Sequence, residues 1–200
     1  MKKKIVYIHG LGGGKNGRVP KLIKKTFGNN VDVLAPEIPI SPKEAYQFVN
    51  DYINKENPDL VIGSSLGAFY TLLLPSNYLK VVINPAMHPS KDIKDGIGLG
   101  TYPYRHKRDN KEQTYTVDKK FINALSGLYR RYLSKEDNKD NVYGIFGKRD
   151  CLFSHINDFM KRYGRKHITI LKNEFHHISD ESVNNFVIPL IDKLINKEAN

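Results

Sequence analysis

Two hundred residues are one domain's worth of chain, long enough to bury a sizeable core. The 32 basic against 21 acidic residues give a formal net charge of +11, but the charges are spread over the chain without recognition-motif spacing, so a solvated basic surface is expected and a nucleic-acid partner is not. No apolar stretch approaches the roughly 20 residues of a membrane span, and the lone cysteine, Cys151, excludes an internal disulfide.

In chain order, the start MKKKIVYIHG reads as a strand without a signal-peptide core, which with the single cysteine predicts a cytoplasmic protein. Strands are expected at about 3–9, 31–35, 59–63, 80–84, 142–146 and 167–171. Helices are expected at about 16–28, 42–55, 65–74, 118–133, 154–164 and 180–197. In the second helix Ser41 is the expected N-cap, Pro42 suits the first helical position and Glu44 would complete a capping box. Ala45, Phe48, Val49, Tyr52 and Ile53 then form its apolar stripe. The last helix repeats that spacing in Val183, Phe186, Val187, Leu190, Ile191 and Leu194, with a kink expected at Pro189. Strands separated by helices predict one α/β domain over residues 1–200, with a mostly parallel six-stranded sheet flanked by helices on both faces. Active groups would gather at the carboxyl ends of the strands.

The first strand is followed by His9-Gly10-Leu11-Gly12-Gly13-Gly14, a loop whose glycines permit close approach to a bound group. His9 is expected to shape this loop rather than do chemistry. The third strand runs into Gly63-Ser64-Ser65-Leu66-Gly67, a G-x-S-x-G turn ahead of a helix. Such a turn holds a serine hydroxyl where a base can reach it, which makes Ser65 the candidate nucleophile. The bland reading is a tight turn whose glycines serve helix–sheet packing alone. An oxyanion needs two backbone N–H donors in place, and Leu66 and Leu11 are the candidates, with Gly12 as the alternative to Leu11. Two later strands end at Gly147-Lys148-Arg149-Asp150 and Phe175-His176-His177-Ile178, which supply a candidate acid, Asp150, and a pair of candidate bases. Singly, an Asp after a strand is usually a turn former and a His pair usually surface decoration. In the order Ser, Asp, His they match the α/β-hydrolase plan.

These segments, together with Asn84-Pro85-Ala86 after the fourth strand, resemble the small YqiA/YcfP-like esterases of the α/β-hydrolase superfamily over nearly the whole chain. The resemblance implies a minimal α/β-hydrolase fold and carboxylesterase-type activity on a small ester, thioester or other acyl substrate, without a cofactor or metal. Carried over, Ser65 is the nucleophile, Asp150 the acid and His176 the base. The family has a glycine shortly before the base where this chain has Asn173-Glu174-Phe175, which keeps His177 as a second candidate.

Residues 86–117 break the alternation with glycines, prolines, tyrosines and a basic run, and are expected to form a cap or lid above the site. Tyr102, Tyr104 and Tyr115 offer apolar faces to a substrate, and Arg105, Lys107 and Arg108 offer charge to an anionic one. Gly12, Tyr102, Tyr104 and Arg105 are accordingly substrate-binding candidates. Cys151 is expected to be a partly buried filler. Two other readings compete. Gly12-x-Gly14-x-x-Gly17, with Glu37 about 20 residues on, fits a dinucleotide fingerprint, although it begins beyond the strand end. A non-catalytic binding module on the same fold is the other.

Overall fold

The computed structural model of the chain describes residues 2–135 and 138–196. Six strands form one sheet: β1 (Lys3–Ile8), β2 (Val31–Leu34), β3 (Leu60–Ser64), β4 (Lys80–Ile83), β7 (Val142–Gly147) and β8 (Ile168–Leu171). They lie in the order β2-β1-β3-β4-β7-β8, and every pair is parallel. The helices around it are α1 (Arg18–Phe27), α2 (Pro42–Glu56), α3 (Leu66–Leu73), α5 (Lys119–Ser134), α6 (Ile156–Tyr163) and a C-terminal run. All six expected strands and all six expected helices are present within two residues of their expected bounds, except that residue 197 of the last helix lies outside the described residues.

Each strand divides its side chains by period two between two cores. Val6, Ile8, Val61 and Val82 pack with α2, α3, α5 and α6 on one face. Ile5, Tyr7, Ile62 and Val81 pack with α1 and the C-terminal helices on the other. The central strands β1 and β3 are apolar on both faces, as a sheet sandwiched between helix layers requires. β1 and β3 are neighbours, yet the chain leaves β1 toward β2 on one side and β3 toward β4 on the other. The loops after β1 and β3 therefore diverge at a topological switch point and open a crevice between them.

Three local expectations are revised. Ser41 precedes α2 and Pro42 opens it, but the Ser41 side chain makes no capping hydrogen bond, so the capping box does not form. In α2, Ala45, Val49 and Ile53 are buried, whereas Phe48 and Tyr52 are half-buried and stack on each other at 5.7 Å. The C-terminal run is α7 (Asp180–Ser182), a π-helical turn over Val183–Val187 and α8 (Ile188–Ile195). Pro189 has no N–H to give and its ring would meet the carbonyl one turn back, so the widened turn is where the expected kink is absorbed.

Residues 86–117 carry structure that periodicity did not reveal: α4 (Pro89–Gly96) and an antiparallel hairpin of β5 (Gly100–Pro103) and β6 (Thr114–Val117). The hairpin's connection returns to the crevice. Arg105 N–H donates to Gly12 O at 2.9 Å, Lys15 pairs with Asp109 at 2.6 Å, and Arg108 pairs with Glu37 at 2.9 Å. Arg108 is 7% exposed, also donates to Ile38 O at 2.9 Å, and lies over the Tyr104 ring. It ties the hairpin to the chain after β2 and is not offered to a ligand. Cys151 is exposed, contrary to its expected role as filler, because it follows Asp150 in a surface turn.

Candidate active site

The turn after β3 brings the strand into contact with the end of β1. A Cβ on Gly63 would lie 2.6 Å from Ala68 Cα, and one on Gly67 would strike the carbonyls of Ile8 and His9. Both glycines are needed for close approach, which is the packing reading of the motif. The serine between them adds something packing does not require. Ser65 has φ 54° and ψ −123°, a region that costs a non-glycine residue of order 1–3 kcal/mol. Hydrogen bonds hold it there: its N–H donates to Ile83 O at 3.0 Å, and its carbonyl accepts from Ala68 N at 3.1 Å and Ala86 N at 3.2 Å.

The side chains then form a continuous chain. Ser65 Oγ lies 2.9 Å from His176 Nε2, and His176 Nδ1 lies 2.7 Å from Asp150 Oδ2. Asp150 Oδ1 accepts from the backbone N–H groups of Leu152 at 2.9 Å and Phe153 at 3.2 Å, so the carboxylate cannot turn. The Phe153 ring packs edge-on against the imidazole at 4.6 Å. Asp150 and His176 are each 9% exposed. Ser64 points elsewhere and accepts from Tyr7 Oη at 2.9 Å. His177 turns outward to meet Arg105 at 2.5 Å. Burial, followed by the Arg105 charge, lowers its pKa to about 4 and keeps it neutral. Glu174 is engaged by Ser179 and Ser182, not by the imidazole.

Leu11 follows β1 and lines the same cleft as Ser65, and Leu66 is the residue after Ser65. Leu66 opens α3, where first-turn N–H groups have no partner within the helix. Among the described residues, Leu11 N–H has none either. The cleft above Ser65 has a volume of about 260 Å³ and is walled by Leu11, Ile97, Arg105, His106, Phe153 and His177, among others. Of the four substrate-binding candidates, Arg105 lies on this wall. Tyr102 and Tyr104 do not line it; their rings pack tilted against Tyr115, with centroids 5.8 and 5.1 Å away. Gly12 lies against Tyr115, whose hydroxyl is 2.8 Å from where a Gly12 Cβ would be. Glu37, the acidic residue of the dinucleotide fingerprint, is taken by Arg108 and by Asp109 N.

Two further residues shape the site. His9 receives Ile38 N–H on Nε2 at 3.1 Å and donates from Nδ1 to Gly10 O at 2.9 Å, which fixes the loop after β1 as expected. Burial lowers its pKa to about 4. Asn84 has a role the sequence did not disclose. Its Oδ1 accepts from Gly147 N at 2.8 Å, and its Nδ2 donates to Phe175 O at 3.1 Å and His176 O at 2.9 Å. One buried amide thus joins the loop bearing Asp150 to the loop bearing His176. The only sequence signal was Asn84-Pro85-Ala86 itself, which says nothing of partners some 60 and 90 positions away.

The sequence matches Uncharacterised protein family (UPF0227) over residues 4–185. The chain belongs to this family, in agreement with the resemblance to YqiA/YcfP-like proteins. Solved structures of α/β-hydrolase fold superpose on it throughout. Alpha/beta hydrolase domain-containing protein 10 from mouse is 15% identical with a TM-score of 0.68, covering 97% of this chain and 90% of that one. A chain of the metagenome-derived lipolytic enzymes LipS and LipT is 14% identical with a TM-score of 0.65, covering 98% and 94%. The esterase domain of a Rhodothermus marinus protein is 15% identical with a TM-score of 0.60, covering 94% and 84%. At these identities the likeness establishes an α/β-hydrolase fold for this family member. Among the described residues, no helix is long and apolar enough to cross a membrane.

Two predictions test these supports. Asn84→Ala leaves a buried N–H and two carbonyls short of partners and is expected to cost about 2–4 kcal/mol in urea unfolding; a cost under about 0.5 kcal/mol would deny that the amide joins the loops. His9 is neutral in the fold and titrates near its ordinary value when unfolded, so the unfolded chain binds more protons between those two values. Stability from His9 is therefore present above about pH 6.5 and is lost as pH falls toward 4. His9→Gln, which keeps an acceptor for Ile38 N–H, is expected to lose up to about 3 kcal/mol less than wild type across that window. Identical pH slopes in urea unfolding would contradict it.

Proposed function

We propose that this protein is a serine hydrolase of the carboxylesterase type, which cleaves a small ester or thioester through an acyl-enzyme. The observation that carries the reading is the hydrogen-bonded run from Ser65 through His176 to a carboxylate that two backbone N–H groups lock in place. Packing alone gives no reason for a strained serine at the head of that run.

In this mechanism Ser65 Oγ attacks the substrate carbonyl carbon as His176 Nε2 takes its proton. Asp150 holds the proton on Nδ1 and stabilises the imidazolium that forms. The N–H groups of Leu11 and Leu66 meet the negative oxygen of the tetrahedral intermediate. His176 then protonates the leaving alkoxide or thiolate, and the acyl group stays on Ser65. Water, deprotonated by the same imidazole, attacks the acyl-enzyme, and the carboxylic acid leaves with Ser65 restored. The cleft volume of about 260 Å³ favours small acyl groups. Residues 86–117 act as the lid, since their hairpin connection places Arg105 on the cleft wall.

Hydrolysis of nitrophenyl esters tests the reading. Ser65→Ala is expected to lower turnover by several orders of magnitude, Asp150→Asn by up to about 10⁴, and Ser64→Ala only slightly. Activity that survives Ser65→Ala would overturn it. For the lid, Arg105→Ala is expected to raise KM for esters carrying a carboxylate more than for neutral esters. Equal effects would remove Arg105 from substrate recognition.

A further inference from the structure

A second cluster of chemically capable side chains lies beyond Phe153, away from the cleft. His88 ends the segment that follows β4, and His155 and Asp158 stand at the start of α6. Asp158 Oδ2 is 3.1 Å from His88 Nε2 and 2.9 Å from His155 Nδ1. The three donor atoms all lie within 4.8 Å of one another. We propose that His88, His155 and Asp158 form a binding site for a divalent cation of the zinc class, separate from the hydrolase centre.

The donor chemistry fits that class. Two imidazoles and one carboxylate suit zinc, which takes nitrogen and oxygen ligands at about 2.0–2.1 Å and keeps three protein ligands where a fourth position stays open. Tetrahedral bonds of that length put ligand atoms about 3.3 Å apart; the two spacings to Asp158 Oδ2, 3.1 and 2.9 Å, need to open by only a few tenths of an ångström, and the two imidazole nitrogens lie within 4.8 Å of each other. The outer atoms of both rings are already held. His155 Nε2 meets Asp92 Oδ2 at 2.9 Å, and Asp92 is 6% exposed. His88 Nδ1 meets Tyr129 Oη at 2.7 Å. Carboxylate and hydroxyl partners on the distal nitrogens are the usual means of aiming metal-binding imidazoles.

Access and proton balance are also satisfied. His88 and Asp158 are half-exposed and line a hollow of about 350 Å³, so an ion can enter and a water or an anion can complete its shell from that side. Lys161 on the same hollow favours an anionic fourth ligand. On coordination, His155 releases its Nδ1 proton to solvent and keeps the one on Nε2 toward Asp92. His88 binds through Nε2 and carries its proton on Nδ1, donated to Tyr129 Oη. The ion would cross-link the segment before α4 to α6, on the far side of Phe153, whose ring touches both His155 and His176.

The test uses the full chain stripped of metal and titrated with Co²⁺ by visible absorbance, then with Zn²⁺ against a chelating dye. One ion per chain and a tetrahedral Co²⁺ spectrum are expected. His88→Ala and Asp158→Asn, both at half-exposed positions, should each weaken binding by about tenfold or more, whereas His106→Ala should not. Zn²⁺ should also raise the Tm of wild type and of Ser65→Ala, but not that of His88→Ala. Sub-stoichiometric binding, or affinity and Tm shifts that survive both His88→Ala and Asp158→Asn, would overturn the proposal.

Discussion

The structure turns on the backbone of Ser65. A residue with a side chain is held at φ 54°, and the strain is maintained because the turn is bonded on three sides: to β4 through Ile83 O, to its own helix through Ala68 N, and to the chain after β4 through Ala86 N. Gly63 and Gly67 permit this by letting α3 and the end of β1 come within contact distance. If the turn relaxed, the hydroxyl would lose its place opposite His176 Nε2.

From that point outward, each part is fixed by hydrogen bonds to backbone or side chain. Asp150 is held by Leu152 and Phe153 N–H, and His176 by its carboxylate below and by Asn84 through its own carbonyl. Bonds of this kind fix orientation, which the proposed role of His176 as general base requires. The hairpin of residues 86–117 is attached differently. The Lys15–Asp109 pair is well exposed and contributes little, whereas the Arg108–Glu37 pair is largely buried and cannot be broken without leaving a charge in the interior. The hold of the hairpin on the crevice therefore rests on Arg108.

The parallel sheet and its helices were legible because buried strands and amphipathic helices write their period into the chain. Ile5 to Ile8 and Val61-Ile62 are apolar on both faces, and α2 repeats its stripe at Ala45, Val49 and Ile53. Ser65, Asp150 and His176 were legible because each follows a strand in a fixed order. The structure of residues 86–117 was not. Its helix buries Ile93 as its only apolar residue other than Pro89, and its strands are four residues long and half in solvent. Asn84, and the group His88, His155 and Asp158, were hidden for another reason. Their partners are brought together by the crossing of distant segments, which leaves no spacing to read. Arg108 and Cys151 misled in opposite directions, because a charged residue found a buried partner and a cysteine fell in a surface turn.

The central claim is that the Ser65 hydroxyl is activated by His176. The most direct measurement is to treat the protein with a fluorophosphonate and locate the adduct by peptide mass spectrometry. A single adduct on Ser65, formed rapidly in wild type and abolished in His176→Ala but not in His177→Ala, is the predicted result. An adduct on Ser64 or Cys151, no adduct at all, or labelling of Ser65 that is indifferent to His176 would contradict the account.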